Sequence, residues 1–277
     1  MLYNILTLYH LNTSGKSIRL RAILVGHRLI LRKGEGEYMK HFLEKFTQEY
    51  LDDILVRLAH HSAGIEGNTI SLTATVSIIV NGTLPTSSGA TVREFYEIEN
   101  HKQAFERITS HLINDESLSV TIIKEIHADL TDRLQYDKGQ FKKSEHMIIG
   151  AVFQTASPAE TPLLVAQLVD NLQYRLDNAK TNDDKLLTIL DSHIQFERIH
   201  PFSDGNGRTG RMLMMYSLLQ EGFPPLIIEK ETKAQYVEFL ANQDVESFFQ
   251  FAKERLDTEQ KRMQAFQNMD EERIKYD

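Results

Sequence analysis

The chain has 277 residues, 41% of them hydrophobic, which is enough to bury a sizeable core in one large domain or two lobes. It contains no cysteine, which excludes disulfides and zinc–thiolate sites. With 31 basic against 39 acidic residues the net charge is −8, so we expect no nucleic-acid partner. No apolar run reaches transmembrane length and the first residues lack the features of a signal peptide. We therefore expect no membrane contact and a cytoplasmic location.

The predicted elements are mostly helical. Within residues 17–33, alternating apolar residues predict two short strands around Gly26 and His27. One or two helices follow over residues 38–66, and residues 81–91 are predicted to form a loop. Helical periodicity then recurs in Glu94–His111, Leu118–Arg133, Thr161–Asn178, Asp183–Ile199, Arg208–Glu221 and from Val245 to about Arg273. The pattern predicts a mainly α fold with a small N-terminal β element.

Residues 200–211 read HPFSDGNGRTGR, and no other stretch of the chain is as dense in chemical groups. Gly205 and Gly207 have no Cβ, so their backbone N–H groups can converge on an anion, and Asn206 adds an amide donor. The apolar run Met212–Leu219 begins directly afterwards and is predicted to be helical. The loop therefore lies at a helix N-terminus, where free N–H groups and the helix dipole favour anions.

The charged side chains of the same motif indicate polyphosphate chemistry. Arg208 and Arg211 are three residues apart, so they share a face of the new helix, and guanidinium groups bind phosphate oxygens in pairs. Asp204 offers the hard oxygen ligand that suits Mg²⁺. His200 can exchange a proton near neutral pH. Together these groups predict a site that holds a polyphosphate and moves a proton beside it.

The motif resembles that of the Fic family, HxFx(D/E)GNGRxxR, at every defined position. The similarity extends back through residues 191–199 and forward to residues 221–225, and it covers roughly residues 50–255. Most Fic proteins move AMP from ATP, with Mg²⁺, onto a Ser, Thr or Tyr hydroxyl of another protein. The resemblance therefore implies the Fic fold, a helical bundle core with a short β-hairpin flap, and ATP and Mg²⁺ as substrate and cofactor.

The resemblance also assigns roles to individual residues. His200 would be the general base, Asp204 would hold Mg²⁺, and Phe202 would anchor the loop in the core. Phosphate binding would fall to the loop and the two arginines, namely Gly205, Asn206, Gly207, Arg208 and Arg211. Relatives that transfer the γ-phosphate instead have a Lys in place of the second loop glycine, so the presence of Gly207 favours AMP transfer.

A second motif, SAGIEGN, occupies residues 62–68 and is called the inhibitory segment below. On local physics alone, Glu66 is an exposed carboxylate at the unfavourable end of a helix that stops at Gly67. The segment nevertheless matches the Fic inhibitory pattern (S/T)xxxE(G/N), in which the Glu pairs with the second motif arginine, here Arg211. We also expect Ser62, four residues earlier, to donate a hydrogen bond to the Glu66 carboxylate.

Two further regions carry weaker signals. Residues 138–150 break at Gly139 and are predicted to form a hairpin or an ordinary surface loop. In Fic proteins the matching segment is a flap that binds the target by strand addition, and here Met147, Ile148 and Ile149 would lie at that position. Family resemblance also places adenine contacts near Tyr236 and Asn242.

These assignments divide the chain into an N-terminal extension of unknown role (1–45), a helical region with the inhibitory segment (46–115), a catalytic core (116–255) and a charged C-terminal helix (256–277). The resemblance implies an autoinhibited protein adenylyltransferase. Two alternatives stay open: a hydrolase that removes AMP with the same site, and a nucleotide-binding interaction module without catalysis. The motif does not select the base, so UMP or GMP transfer is also open, as are the target protein and a homodimeric state.

Overall fold

The structure is a computed structural model that describes residues 46–85, 89–145 and 155–274, and the backbone of three short strands before them. The strands are β1 (Ile5–Leu11), β2 (Ser17–Val25) and β3 (Arg28–Leu31). They form an antiparallel sheet in the order β1-β2-β3, with Val25 paired to Arg28. The two strands predicted around Gly26 and His27 are confirmed, and β1 adds a strand that the sequence pattern did not indicate.

The remaining described residues are mainly helical, which confirms the predicted fold class. Several helices begin at a Ser or Thr whose hydroxyl accepts a hydrogen bond from a backbone N–H in the first turn, as at Thr47, Ser71, Thr91, Ser119 and Thr181. Among the described residues, no helix combines the length and apolar composition needed to cross a membrane. The helices are α1 (Gln48–Ile65), α2 (Leu72–Asn81), α3 (Val92–Ile113), α4 (Val120–Leu130), α5 (Thr161–Asn178), α6 (Asn182–Ile199), α7 (Asn206–Gln220), α8 (Lys233–Asn242) and α9 (Val245–Ile274), with a 3₁₀ turn at Lys230–Thr232.

Helix α7 lies in the centre of the protein and is buried on every side. Its residues Met212, Met215 and Tyr216 belong to one apolar cluster, which also contains residues of α1 to α4. Met214 and Leu218 belong to a second cluster with residues of α5, α6, α8 and α9. A helix that is apolar all round is typical of such a buried position. The N-terminus of α7, where the 200–211 motif lies, is therefore fixed by packing on both sides.

The C-terminal helix α9 fastens α1 through a buried carboxylate. Glu259 is 6% exposed and accepts hydrogen bonds from Tyr50 Oη (2.9 Å) and from Arg57 NH1 and NH2 (2.8 and 2.7 Å). Leu256 and Met263, one turn to either side of Glu259, are also buried. Helix α9 is continuous through residues 255 and 256, so the division expected there does not coincide with a break in the helix.

We predict that Glu259→Ala lowers the free energy of unfolding by about 2–4 kcal/mol, because it leaves the Arg57 guanidinium without its main buried partner. Chemical denaturation monitored by circular dichroism measures the change. Lys253→Gln is the matched control, since Lys253 and Asp183 form an exposed pair at 2.9 Å whose loss should cost less than about 1 kcal/mol. Equal effects of the two substitutions would contradict the proposed anchoring role.

Candidate active site

The turn between α6 and α7 is closed by the side chain of one asparagine. Asn206 Oδ1 accepts a hydrogen bond from Phe202 N at 2.8 Å, and Asn206 Nδ2 donates to Phe202 O at 2.8 Å. Asn206 is 2% exposed and the Phe202 ring is fully buried, as expected for an anchor. The Asn206 amide, which was predicted to be a donor to the anion, thus braces the loop through the Phe202 backbone, and the phosphate contact of this residue stays a prediction.

His200 lies at the junction of this turn with α6. It caps the helix with φ 51° and ψ 62°, the left-handed conformation that few residues other than glycine adopt, and its N–H donates to Phe196 O at 3.0 Å. Such backbone conformations cost energy and cluster at functional sites. This conformation ends α6 at His200. The residue therefore lies at the edge of the turn and is only partly buried.

A buried histidine that the sequence analysis did not single out supports the turn from below. The His127 ring stacks on Phe202 with centroids 3.7 Å apart and planes within 3°. Gly139 N donates to His127 Nδ1 at 2.9 Å, so Nε2 carries the proton and donates to Asp204 O at 3.0 Å. Burial lowers the pKa of His127 to about 4, which keeps the ring in this neutral state. Its place on the apolar face of α4 was the one signal in the sequence that it is buried.

The N-terminus of α7 offers a buried cation without a full set of partners. Gly205 begins the helix with φ 78°, a conformation that glycine adopts without strain. Arg208 is 2% exposed, and within the described part of the chain its Nε and NH1 make no hydrogen bond. Burial lowers the pKa of Arg208 against the raising effect of Asp204, but guanidinium stays charged. A buried guanidinium with free donors at a helix N-terminus is the arrangement expected of an anion site.

Arg211, by contrast, is bound by the inhibitory segment. It is 4% exposed, and its NH2 donates to Glu66 Oε1 at 2.6 Å and to Ser62 O at 2.9 Å. Burial alone would lower the pKa of Arg211, but Glu66, together with Tyr236 and Glu197, raises this pKa above its usual value. Arg211 in turn holds the pKa of Glu66 below its usual value, against the effect of desolvation. The expected pairing of Glu66 with Arg211 is present in this structure.

One detail of the inhibitory segment differs from expectation. Ser62 Oγ was predicted to bond the Glu66 carboxylate, but it accepts a hydrogen bond from Arg211 Nε at 3.0 Å. The Arg211 guanidinium reaches the last turn of α1 and donates hydrogen bonds to both Ser62 and Glu66. The Ser62 hydroxyl therefore accepts from the arginine instead of bonding the carboxylate. Ser62 therefore positions Arg211 directly.

The carboxylate of Glu66 leaves no room for a side chain at residue 207. A Cβ built on Gly207 would collide with Glu66 Oε1 and would lie 3.1 Å from Arg211 NH1. The inhibitory carboxylate therefore lies over the first turn of α7, at the place where a phosphate bound by Arg211 would have to lie. A phosphate at that place would meet the Glu66 carboxylate.

Asp204 fits the role of a magnesium ligand, though not by itself. Its side chain is 48% exposed, and Arg208 and Arg93 lower its pKa although partial burial would raise it, so it is ionised. Over the part of the chain that the structure describes, no group of three or more His, Asp or Glu residues could hold a metal. Mg²⁺ commonly takes one or two carboxylates and completes its shell with phosphate oxygens and water. The residues present suit a metal that arrives with a nucleotide.

The two residues predicted near adenine lie in different surroundings. Tyr236 is 1% exposed, and its hydroxyl is 2.7 Å from His193 Nε2 in the core beside Arg211. Asn242 is exposed at the end of α8. The adenine contacts stay predictions, and the buried Tyr236 ring would have to be uncovered to make one. Met147, Ile148 and Ile149, assigned to the flap, lie outside the described residues.

A buried carboxyl near Arg211 was also missed by the sequence analysis. Glu197 on α6 is 8% exposed, and among the described atoms its Oε1 has no hydrogen-bond partner. Burial raises the pKa of Glu197 to about 7, with Arg211 acting in the opposite direction. A carboxyl group whose pKa is raised to about 7 exchanges its proton near neutral pH.

Comparison with known proteins agrees with this geometry. Residues 117–218 match the Fic/DOC family model. The protein adenylyltransferase Fic of Drosophila willistoni is 32% identical over 198 residues, which cover 69% of this chain and 38% of that protein. The protein of the same name from Aedes aegypti is 32% identical over 200 residues, with the same coverage of 69% and 38%.

Solved structures share the fold. A Fic domain containing signaling protein from Bacteroides thetaiotaomicron has a TM-score of 0.67 at 26% identity, covering 79% of this chain and 92% of that one. Fic-1 from C. elegans has a TM-score of 0.67 at 22% identity, covering 86% and 68% of the two chains. Residues 117–218 are therefore a Fic/DOC domain, and the chain belongs to that family through it. The chain spans only about 38% of the length of the curated relatives it matches.

Four buried histidines make the stability of this structure sensitive to acid. Burial lowers the pKa of His60 and His127 to about 4, and of His101 and His193 to about 3, from 6.5. Below pH 6.5 these histidines bind protons in the unfolded chain but stay neutral in the folded chain. Their contribution to the free energy of unfolding is therefore complete above pH 6.5 and is lost as the pH drops towards 4. Glu197 acts in the opposite direction, but as a single group.

We predict that the free energy of unfolding falls between pH 6.5 and 5, by up to about 1.4 kcal/mol per pH unit for each such histidine. Urea unfolding at pH 7, 6 and 5 measures it. A stability that is constant or rises over this range would show that the imidazoles are not held neutral.

Proposed function

We propose that this protein is an autoinhibited protein adenylyltransferase, which transfers AMP from Mg-ATP to a hydroxyl of a target protein. One observation carries the proposal: the Glu66 carboxylate occupies Arg211 at 2.6 Å, above a helix N-terminus built to bind anions. The relatives named protein adenylyltransferase Fic support the activity.

The chemistry follows from the placement of the groups. The target hydroxyl oxygen would attack the α-phosphorus of ATP while His200 takes its proton. The bond from the α-phosphorus to the bridging oxygen breaks, and pyrophosphate leaves with that oxygen. Arg208, buried and with free donors, would stabilise the charge on the departing phosphates. Mg²⁺ held by Asp204 would neutralise the same oxygens.

Inhibition follows from competition for Arg211. With Glu66 in place, the Arg211 charge is paired with a carboxylate, and its Nε and NH2 donate to Ser62 and Glu66. A γ-phosphate could bind there only by displacing the carboxylate, and the triphosphate would otherwise lie in a pose unsuited to in-line attack. Opening the inhibitory segment is therefore the step that activates the site.

The partner in this proposal is a protein that presents a Ser, Thr or Tyr in extended backbone. Strand addition to the segment around Met147–Ile149 would fix the hydroxyl with little demand on the surrounding sequence. A cytoplasmic setting would supply ATP and Mg²⁺. The identity of the target, and whether two copies of the chain associate, are matters for experiment.

We predict that Glu66→Gly raises incorporation of AMP into the protein itself by about tenfold or more, because it frees Arg211 from a charge-assisted hydrogen bond. Intact-mass spectrometry after incubation with Mg-ATP measures the gain. The size-matched Glu66→Gln variant can still accept from Arg211 without charge, so its increase should be smaller. No gain of mass in Glu66→Gly would refute inhibition by this carboxylate.

We predict that His200→Ala in the Glu66→Gly background lowers the modification rate at least about 100-fold, the usual contribution of a general base. ATP binding, followed by calorimetry, should change little, because the phosphate ligands remain. His111→Ala removes a histidine that pairs with Glu116 at 2.9 Å and serves as the control. A His200→Ala variant that modifies itself as fast as its parent would exclude His200 as the base.

A hydrolase is the second candidate, and the ionised state of Glu66 favours it. Arg211 keeps the Glu66 carboxylate charged. The Glu66 side chain is 41% exposed, so its carboxylate can accept a hydrogen bond from a water molecule in the site. Such a water could remove AMP from a modified hydroxyl. Incubating the wild-type protein with an AMPylated protein separates the hydrolase from the transferase: release of AMP shows hydrolysis.

Parallel reactions with labelled UTP and GTP decide which nucleotide is used.

A further inference from the structure

Asp204 is bound to a second arginine, which lies outside the 200–211 motif. Arg93 NH2, in the first turn of α3, donates to Asp204 Oδ2 at 2.8 Å. The Arg93 guanidinium thus places a positive charge beside the Asp204 carboxylate, which would hold Mg²⁺. Arg93 is 56% exposed, whereas the buried Arg208 approaches Asp204 only to 3.9 Å.

The same guanidinium is tied to the inhibitory segment through Glu97. Arg93 Nε donates to Glu97 Oε1 at 2.9 Å, and Asn68 Nδ2 donates to Glu97 Oε2 at 3.0 Å. Asn68 is the last residue of the inhibitory segment, two positions after Glu66. A continuous path of three hydrogen bonds therefore joins Asp204 to the turn that carries the inhibitory carboxylate.

Further hydrogen bonds join the residues that follow Glu66 to the first turn of α3. Thr69 donates to Glu94 Oε1 from its backbone N (2.9 Å) and its hydroxyl (2.6 Å), and Asn68 Nδ2 also donates to Glu94 O at 3.0 Å. Asn68 Oδ1 accepts from Ile70 N at 3.0 Å, which fixes the amide orientation. The turn after Glu66 is thus held by two sets of hydrogen bonds: its own backbone bonds to Ala63 and Gly64 of α1, and the side-chain bonds to the N-terminus of α3.

The contact between Arg93 and Asp204 is well placed for exchange. Both side chains are about half exposed, and ion pairs of this kind contribute little to stability, so another cation can replace the guanidinium at small cost. Mg²⁺ bound to nucleotide phosphates needs the same carboxylate oxygens. Arg93 and the metal therefore compete for Asp204.

We propose that Arg93 is a positioning residue that occupies the cation place of Asp204 before the magnesium nucleotide arrives, and that its displacement loosens the turn carrying Glu66. Metal binding and release of the inhibitory carboxylate then favour each other, and this coupling is reciprocal. The inference rests on the proposed function, because it assumes that Mg-ATP binds at Asp204.

The first test compares nucleotide binding with and without Mg²⁺ in Arg93→Gln, with His200→Ala as background to prevent turnover. A fluorescent ATP analogue is titrated in Mg²⁺ and in EDTA, and the ratio of the two dissociation constants is taken. We expect the Mg²⁺ advantage to grow by about 2- to 5-fold, because Asp204 loses its competing cation. Arg107→Gln is the control, since Arg107 lies on the same helix and bonds Asp129 instead.

The second test follows backbone hydrogen exchange of residues 64–72. In the parent, this segment should exchange faster with Mg²⁺ and nucleotide than with nucleotide and EDTA. In Arg93→Gln that difference should shrink at least about 2-fold, because the tie to Asp204 is already absent. The Arg107→Gln protein should behave like its parent.

Both changes together support the proposal. If Arg93→Gln matches the control in either experiment, or if its affinity for the magnesium nucleotide falls, Arg93 does not act in this way. A parent protein that binds the analogue in neither condition would refute the proposed function itself, so the two failures can be told apart.

Discussion

A buried guanidinium needs an anion, and the structure is organised around this need at Arg211. Leaving such a charge unpaired in the core would cost several kcal/mol. In the present conformation Glu66 supplies the anion at 2.6 Å, with Ser62 completing the hydrogen bonds. A γ-phosphate would satisfy the same guanidinium in the active conformation. In the proposed mechanism, inhibition and substrate binding therefore use the same guanidinium, so that each would exclude the other without a large rearrangement of the fold.

The site combines a fixed part and an adjustable part. Helix α7 is packed between two apolar clusters, and His127 supports the preceding turn through Phe202 and Asp204. Positions on rigid elements suit chemistry that depends on orientation and electrostatics. Glu66, in contrast, lies at the C-terminal end of α1 and is 41% exposed. The residue proposed to regulate the site is accessible, whereas the two arginines proposed to bind phosphate are buried.

The sequence predicted the helical fold and the 200–211 motif because their signals are local: apolar periodicity and a contiguous set of chemical groups. Pairing of Glu66 with Arg211 came from family resemblance, since residues 145 positions apart give no local signal of contact. His127, Glu197 and Arg93 were missed for the same reason, because the chain brings them close to Asp204 or Arg211 only after folding. The new partner of Ser62 and the burial of Tyr236 likewise depend on how α1, α6 and α8 pack around Arg211.

The Glu259 carboxylate has a mechanical consequence for α1. It fastens the first half of the helix, at Tyr50 and Arg57, to α9, whereas Glu66 lies nine residues beyond Arg57 at the other end. A helix pinned at one end cannot slide along its axis, so motion at the far end takes the form of unwinding the final turn. If Glu66 regulates the site as proposed, we therefore expect its movement to be short and local, with α9 holding the rest of α1 in place.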